Sequence, residues 1–201
     1  MNKFGLKVRL AAAAAAIVLV AACGGTTTVS LGGFVTGLIT SGLVIKNLDG
    51  QTLAIPANAS SYEFPGKIDD AGKYLVEIQT QPPRLTCYVS GGTGIATGIK
   101  IASANVFCSV NTYSLGGNVT GLKGANLQLS NGADTVIITA PVANLDGSIP
   151  AAPFTFPAVV GDGFAYGVAV LVQPTGQTCT VKKGTALMGS AAVTDVLVEC
   201  K

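Results

Sequence analysis

Apolar and polar positions alternate along most of this chain in short runs, and residues that favour turns separate the runs. Val106, Cys108 and Val110 form one face of such a run, with Asn105, Phe107 and Ser109 on the other. Val196, Val198 and Cys200 repeat that apolar face, with Asp195 and Glu199 turned outward. A period of two is the signature of a strand with one face in a core and one in water. The first half of the chain shows seven such strands, near residues 31–36, 43–46, 52–55, 61–64, 73–79, 86–89 and 105–110. Asp49-Gly50, Pro65-Gly66, Asp70-Ala71-Gly72, Pro82-Pro83 and Gly91-Gly92 lie between them and supply turn chemistry.

The pattern then restarts. Ser30-Leu31-Gly32-Gly33-Phe34-Val35-Thr36-Gly37-Leu38 returns as Ser114-Leu115-Gly116-Gly117-Asn118-Val119-Thr120-Gly121-Leu122. Gln81-Pro82, Thr86-Cys87 and Cys108 return as Gln173-Pro174, Thr178-Cys179 and Cys200. The offset is 84 at the front and 92 at the back, so the second copy carries an insertion of about eight residues near Ala140 to Ala151. A fixed-offset repeat means one supersecondary unit used twice. The fold expected is all-β: two tandem immunoglobulin-like antiparallel β-sandwiches, repeat 1 over 29–112 and repeat 2 over 113–201. The chain has no tryptophan, so the immunoglobulin likeness is architectural only.

The first residues follow another pattern. Lys3, Lys7 and Arg9 precede an unbroken apolar run from Leu10 to Val20. That run is about half of the ~20 residues a spanning helix needs, and with its basic flank it fits the apolar region of a secretory signal peptide. Val20-Ala21-Ala22-Cys23 follows, then Gly24 and Gly25. The tetrapeptide resembles the lipobox of bacterial lipoproteins. That resemblance implies a signal peptide over 1–22, a diacylglyceryl thioether on Cys23, a palmitate-type acyl group on the new N-terminus, and a lipidated tether over 23–28. Gly24 in place of aspartate implies the outer membrane by the enterobacterial pattern. Several acyl chains at ~0.8 kcal/mol per buried CH₂ would make that attachment nearly permanent.

Charge adds little. Once the three signal-peptide cations are set aside, nine Lys and Arg stand against ten Asp and Glu. This gives no electrostatic basis for binding nucleic acid. Gly-Gly-x-Val-x-Gly-Leu, then Gln-Pro-x-x-x-x-Cys-x-Val, then a closing Val-x-Cys, resembles a tandem repeat of bacterial lipoproteins and large surface proteins. The resemblance covers nearly all of the mature chain and implies a fold and a setting, with no activity attached. Copy one departs from it at Pro83-Arg84-Leu85.

Apart from Cys23, four cysteines remain, and they allow three pairings. The equal spacing of 21 in both copies makes Cys87–Cys108 and Cys179–Cys200 the simplest choice, one disulfide inside each repeat. No Cys-x-x-Cys and no histidine exist, which removes the usual metal, Ser-His-Asp and Cys-His sites. A Ser/Lys pair stays formally open. Glu63, Asp69 and Asp70 form the densest carboxylate group, but Asp70 aligns with Asp162 at a glycine-flanked turn and reads as a turn residue. Tyr74 and Tyr166 coincide between copies and read as core aromatics. The glycines from Gly91 to Gly98 lack the dinucleotide spacing and read as a loop.

The expected function is a lipid-anchored, non-enzymatic display or binding module for an envelope protein or glycan, without cofactor. A structural spacer without ligand is the alternative, and an enzyme of unfamiliar type a third reading. A binder should expose a contiguous apolar or aromatic patch, and a spacer should not.

Overall fold

The computed structural model describes residues 27–201, so the signal peptide and Cys23 lie outside the described residues. The first repeat contains β1 (Thr28–Thr36), β2 (Leu43–Asn47), β3 (Thr52–Ile55), β4 (Ser61–Asp69), β5 (Lys73–Thr80), β6 (Leu85–Ser90), β7 (Thr93–Ile95) and β8 (Asn105–Val110). The second contains β9 (Thr112–Tyr113), β10 (Leu115–Thr120), β11 (Leu127–Asn131), β12 (Asp134–Ile138), β13 (Ala152–Thr155), β14 (Val160–Gly161), β15 (Ala165–Val172), β16 (Cys179–Lys182), β17 (Thr185–Leu187) and β18 (Val193–Cys200). No helix occurs among the described residues.

Each repeat is a sandwich of two four-stranded sheets. Repeat 1 pairs the orders β4-β1-β8-β6 and β3-β2-β5-β7; repeat 2 pairs β13-β10-β18-β16 and β12-β11-β15-β17. The short β9–β14 pair completes the second unit, matching the Thr28–Asp69 end of β1 and β4. The named strands pair antiparallel except the first and last of each repeat: β1 runs parallel to β8, and β10 to β18, with a further parallel bridge from Leu31 of β1 to Ile101. Two buried clusters follow, one from Val29 to Val106 and one from Leu115 to Cys200, with no residue in common.

All seven strands expected in repeat 1 are present, and two details differ. Pro65-Gly66 does not turn the chain but lies within β4, beside a register shift in the β1–β4 ladder. Its strand is the sheet edge, where a residue without an N–H breaks no ladder. The Gly91–Gly98 stretch is not all loop, because Thr93–Ile95 adds β7 to β5. There Gly94 sits under the Tyr74 ring, whose atoms would lie 2.7 Å from a Cβ. An aromatic covering a strand glycine replaces the packing that the glycine lacks.

The recurring motif is explained by close approach. A Cβ on Gly32 or Gly33 would lie 2.3 and 2.1 Å from the Tyr62 and Ala104 carbonyl oxygens; Gly116 and Gly117 meet Phe154 and Val196 at 2.3 and 1.8 Å. Gly37 and Gly121 take φ of 77° and 73°, which only glycine adopts freely. The Gln-Pro motif has its own task. Gln81 Oε1 accepts from the Cys87 N–H at 2.8 Å and its Nε2 donates to the Cys87 carbonyl at 2.8 Å; Gln173 does the same to Cys179 at 2.7 and 3.1 Å. One side chain thus satisfies the backbone of an edge strand on its unpaired side. Cys87 and Cys108, and Cys179 and Cys200, face each other across neighbouring strands and are bonded, with Cα atoms 4.0 Å apart. The bonds join strands within one sheet, unlike the inter-sheet bond of immunoglobulin domains.

Candidate functional site

Every element of the repeat signature is occupied in building the fold, so anything particular to this protein lies where the two copies differ. Three such places stand out: an aromatic row on repeat 1, the junction at Arg84, and the insertion in repeat 2.

The outer face of β4-β1-β8-β6 carries the first. Tyr88 on β6 lies directly opposite Phe107 on β8, and their rings stack with centroids 5.4 Å apart and planes 22° from parallel. Phe34 on β1 meets Phe107 edge to face, also at 5.4 Å. Phe34 is 43% and Tyr88 60% exposed, with Phe107 half-buried between them. Alternation makes all three point away from the core. Large rings on the wet face of a strand gain little from folding, so folding alone does not call for them. The copies make this concrete: at the corresponding positions repeat 2 has Asn118, Glu199 and Thr180.

Around the row stand short neutral polar side chains. Thr36, Ser109 and Thr86 lie on one side, with Asn105 and Ser90 on the other. Asn105 Oδ1 also accepts from the Phe34 N–H at 3.1 Å. Next to Phe34 a shallow groove of about 550 Å³ runs past Ser61 to Glu63 and Lys100.

The carboxylates grouped in the sequence are apart, and Asp70 is the turn residue expected. Asp69 and Asp70 form the β4–β5 turn, where Asp70 Oδ1 accepts from the Ala71 N–H at 2.9 Å. Glu63 lies six residues up the strand, roughly 20 Å away at the usual rise per residue. It accepts from Lys100 Nζ at 2.6 Å and lies 3.5 Å from Lys67 Nζ. The hydrogen bond from Lys100, with Ser30 and the two ammonium charges, holds its carboxyl down at about 2. This lies below the ~4.3 of an unfolded chain, so the stability it contributes is present above pH ~4.3 and lost as pH falls toward 2. The carboxylate ¹³C resonance of Glu63 should titrate with a midpoint near 2. Lys100→Gln should move that midpoint upward, and an unchanged midpoint would mean that Lys100 is not the partner.

Among the described residues no group of three His, Cys, Asp or Glu can hold a metal ion. Lys67 does bond Ser30 Oγ. A lysine serves as a general base where burial strips its proton. Lys67 is instead 50% exposed and ion-paired to Glu63.

The second difference is the departure at Pro83-Arg84-Leu85. Arg84 takes φ of 66°, where its counterpart in repeat 2 is Gly176 at 74°. A left-handed non-glycine costs on the order of 1 kcal/mol, and here its side chain crosses to the second repeat. The guanidinium covers Gly163 and lies 3.8 Å from Asp162, whose side chain is 10% exposed. The Asn111 N–H donates to the Arg84 carbonyl, and the Asp162 N–H to the Asn111 carbonyl, so the connection itself is hydrogen-bonded.

The third difference, the insertion, lengthens the β12–β13 connection to 139–151 against 56–60 in repeat 1. Asp146 accepts from the Ser148 N–H and hydroxyl at 2.9 and 2.6 Å, which lowers its pKa. Val142 and Leu145 stand exposed beside this turn.

The alternation of residues 105–110 puts Phe107 on the outward face, but the sequence does not assemble the row, because Phe34 and Phe107 are about 70 residues apart. Comparing the copies position by position would have exposed it. No protein-family model matches the chain, and no curated protein does. Among solved structures it is similar to the Bacillus anthracis TIE protein, at 14% identity and a TM-score of 0.51, over 86% of this chain and 34% of that one. The chain therefore spans about a third of that protein's length. It is also matched to the shaft pilin SpaA of Lactobacillus rhamnosus GG, at 13% identity over 88% of this chain and 98% of that one, with a TM-score of 0.26. At 14% identity the first likeness is one of fold alone.

Proposed function

We propose that this chain is a non-enzymatic binding module of the bacterial cell envelope, anchored through a lipid on Cys23, with the outer face of repeat 1 as its binding surface. The observation that carries the reading is the Phe34–Phe107–Tyr88 row, exposed in one copy and replaced by polar residues in the other. A spacer has no use for an exposed aromatic row on one of two otherwise matching units. The anchor rests on the basic, apolar and Val20-Ala21-Ala22-Cys23 sequence that precedes the fold.

One strain tests both parts. Cys23→Ser should abolish acyl labelling and move the protein from the membrane to the soluble fraction. The released chain should still bind isolated envelopes, and Phe34→Asn, Phe107→Glu and Tyr88→Thr together should abolish that binding. Acyl labelling that persists in Cys23→Ser, or membrane retention that survives both this change and the triple change, refutes the anchor. Envelope binding that survives the triple change refutes the surface.

A further inference from the structure

We infer that the aromatic row of repeat 1 binds an uncharged, linear glycan chain, stacked on Tyr88 and running along the row toward the groove beside Phe34. The inference rests on the binding-module reading and names its ligand.

Three observations select this occupant. The first is charge. The row and its two flanks contain Ser61, Asn105, Ser90, Thr36, Ser109 and Thr86, all uncharged; the ionised groups Glu63, Lys100 and Lys67 lie together further along β4 and the groove. A charged ligand stacked on the row itself would lose hydration without gaining a counter-ion there. A ligand rich in hydroxyl or amide groups would find donors and acceptors on both sides of an apolar strip.

The second is ring geometry. Tyr88 lies on the edge strand of its sheet, so the ring face turned away from Phe107 has no neighbouring strand beyond it. Aromatic faces carry negative potential and attract polarised C–H groups, which one face of a pyranose ring presents. Phe107 backs Tyr88, and Phe34 fixes Phe107 by an edge contact, so the stacking ring is held before the ligand arrives. Preorganisation of this kind raises affinity by lowering the ordering cost.

The third is distance from the anchor. Between Cys23 and β1 only residues 24–27 intervene, a tether of at most ~15–18 Å when extended. Phe34 lies six residues along β1 from Thr28, about 20 Å further at the strand rise. With the anchor at the start of β1, the row lies well away from the anchored end of the sandwich. A bilayer as the occupant would require the row at the anchored end.

Saturation-transfer NMR on the full mature chain, with cellohexaose and chitohexaose as probes, tests the assignment. Saturable binding of at least one probe is expected. Tyr88→Thr should weaken it roughly tenfold, as loss of a stacked ring would. Adding Phe34→Asn and Phe107→Glu should remove it. These are the residues repeat 2 carries on the same strands, and an unchanged amide NMR spectrum for the rest of the chain verifies the fold. Failure of both probes, equal binding by oligogalacturonate, or row-dependent binding to phosphatidylcholine vesicles overturns the inference. If the probes fail while the Cys23→Ser chain still binds envelopes through the row, the glycan falls and the binding-module reading stands.

Discussion

Gly117→Ala is expected to unfold the second sandwich and leave the first intact. The added Cβ would lie 1.8 Å from the Val196 carbonyl oxygen and 2.6 and 2.9 Å from its C and Cα, all backbone atoms of β18. No rotamer relieves such a contact, so β10 and β18 must separate. Those two are the central strands of the β13-β10-β18-β16 sheet, and their separation also loosens the buried Val119, Val196 and Val198. A domain of this size is stable by roughly 4–13 kcal/mol, and a backbone clash in its core belongs with changes that cost about 4–5 kcal/mol or more. Gly189→Ala is the control, since a Cβ there meets nothing within 4 Å. Amide NMR spectra should show the repeat 2 resonances collapsed in Gly117→Ala, those of repeat 1 retained, and both retained in Gly189→Ala. Loss of both sets together would show that neither sandwich stands alone.

The strands were legible because alternation is a local property, and the repeat was legible because its glycines, glutamine and cysteines are fixed by geometry. Gly33 and Gly117 each pass under a backbone carbonyl that no side chain would clear. What the sequence hid was non-local. β7 escaped because three residues with a central glycine show no alternation, and only the Tyr74 ring across the ladder makes Gly94 a strand residue. Pro65-Gly66 misled because turn chemistry and an edge-strand irregularity use the same residues. The aromatic row depends on parallel pairing of the first and last strands, a contact that no local pattern announces.

The departure at Pro83-Arg84-Leu85 is instructive in the same way. The sequence marks it as an irregularity in copy one. The structure shows that a position taken by Gly176 in repeat 2 is filled by a strained arginine because a neighbour lies within its reach. Asp162 corresponds to Asp70, and the turn it occupies is the same turn. The backbone bond is the same as well, since the Asp70 N–H meets the Thr27 carbonyl and the Asp162 N–H meets that of Asn111, the position equivalent to Thr27. Only the side-chain partner differs, the Ala71 N–H for Asp70 and the Arg84 guanidinium for Asp162. The three differences between copies therefore sort into one that joins the units, at Arg84, and two that face outward, the aromatic row and the insertion.

Removing one disulfide should destabilise only the repeat that contains it. Each bond closes a loop of 21 residues between adjacent strands, which constrains the unfolded chain by about 3 kcal/mol on the entropy model. For a domain of 60–100 residues, 1 kcal/mol moves Tm by about 4–8 °C, so the shift should be roughly 12–24 °C. Cys179→Ala with Cys200→Ala should lower the second unit's transition by that amount and leave the first within a few degrees, because the cores share no residue. Cys87→Ala with Cys108→Ala should do the reverse. In both variants the glutamine continues to satisfy the strand, since Gln81 and Gln173 bond backbone atoms that alanine keeps. The Arg84–Asp162 contact is a single long ion pair, 3.8 Å, made by an exposed arginine to a mostly buried aspartate, and one such contact is too weak to carry about 3 kcal/mol from one unit to the other. Calorimetry with unit-resolved NMR melting decides the matter: equal shifts in both units would mean that the connection through Asn111 couples the sandwiches into one cooperative fold.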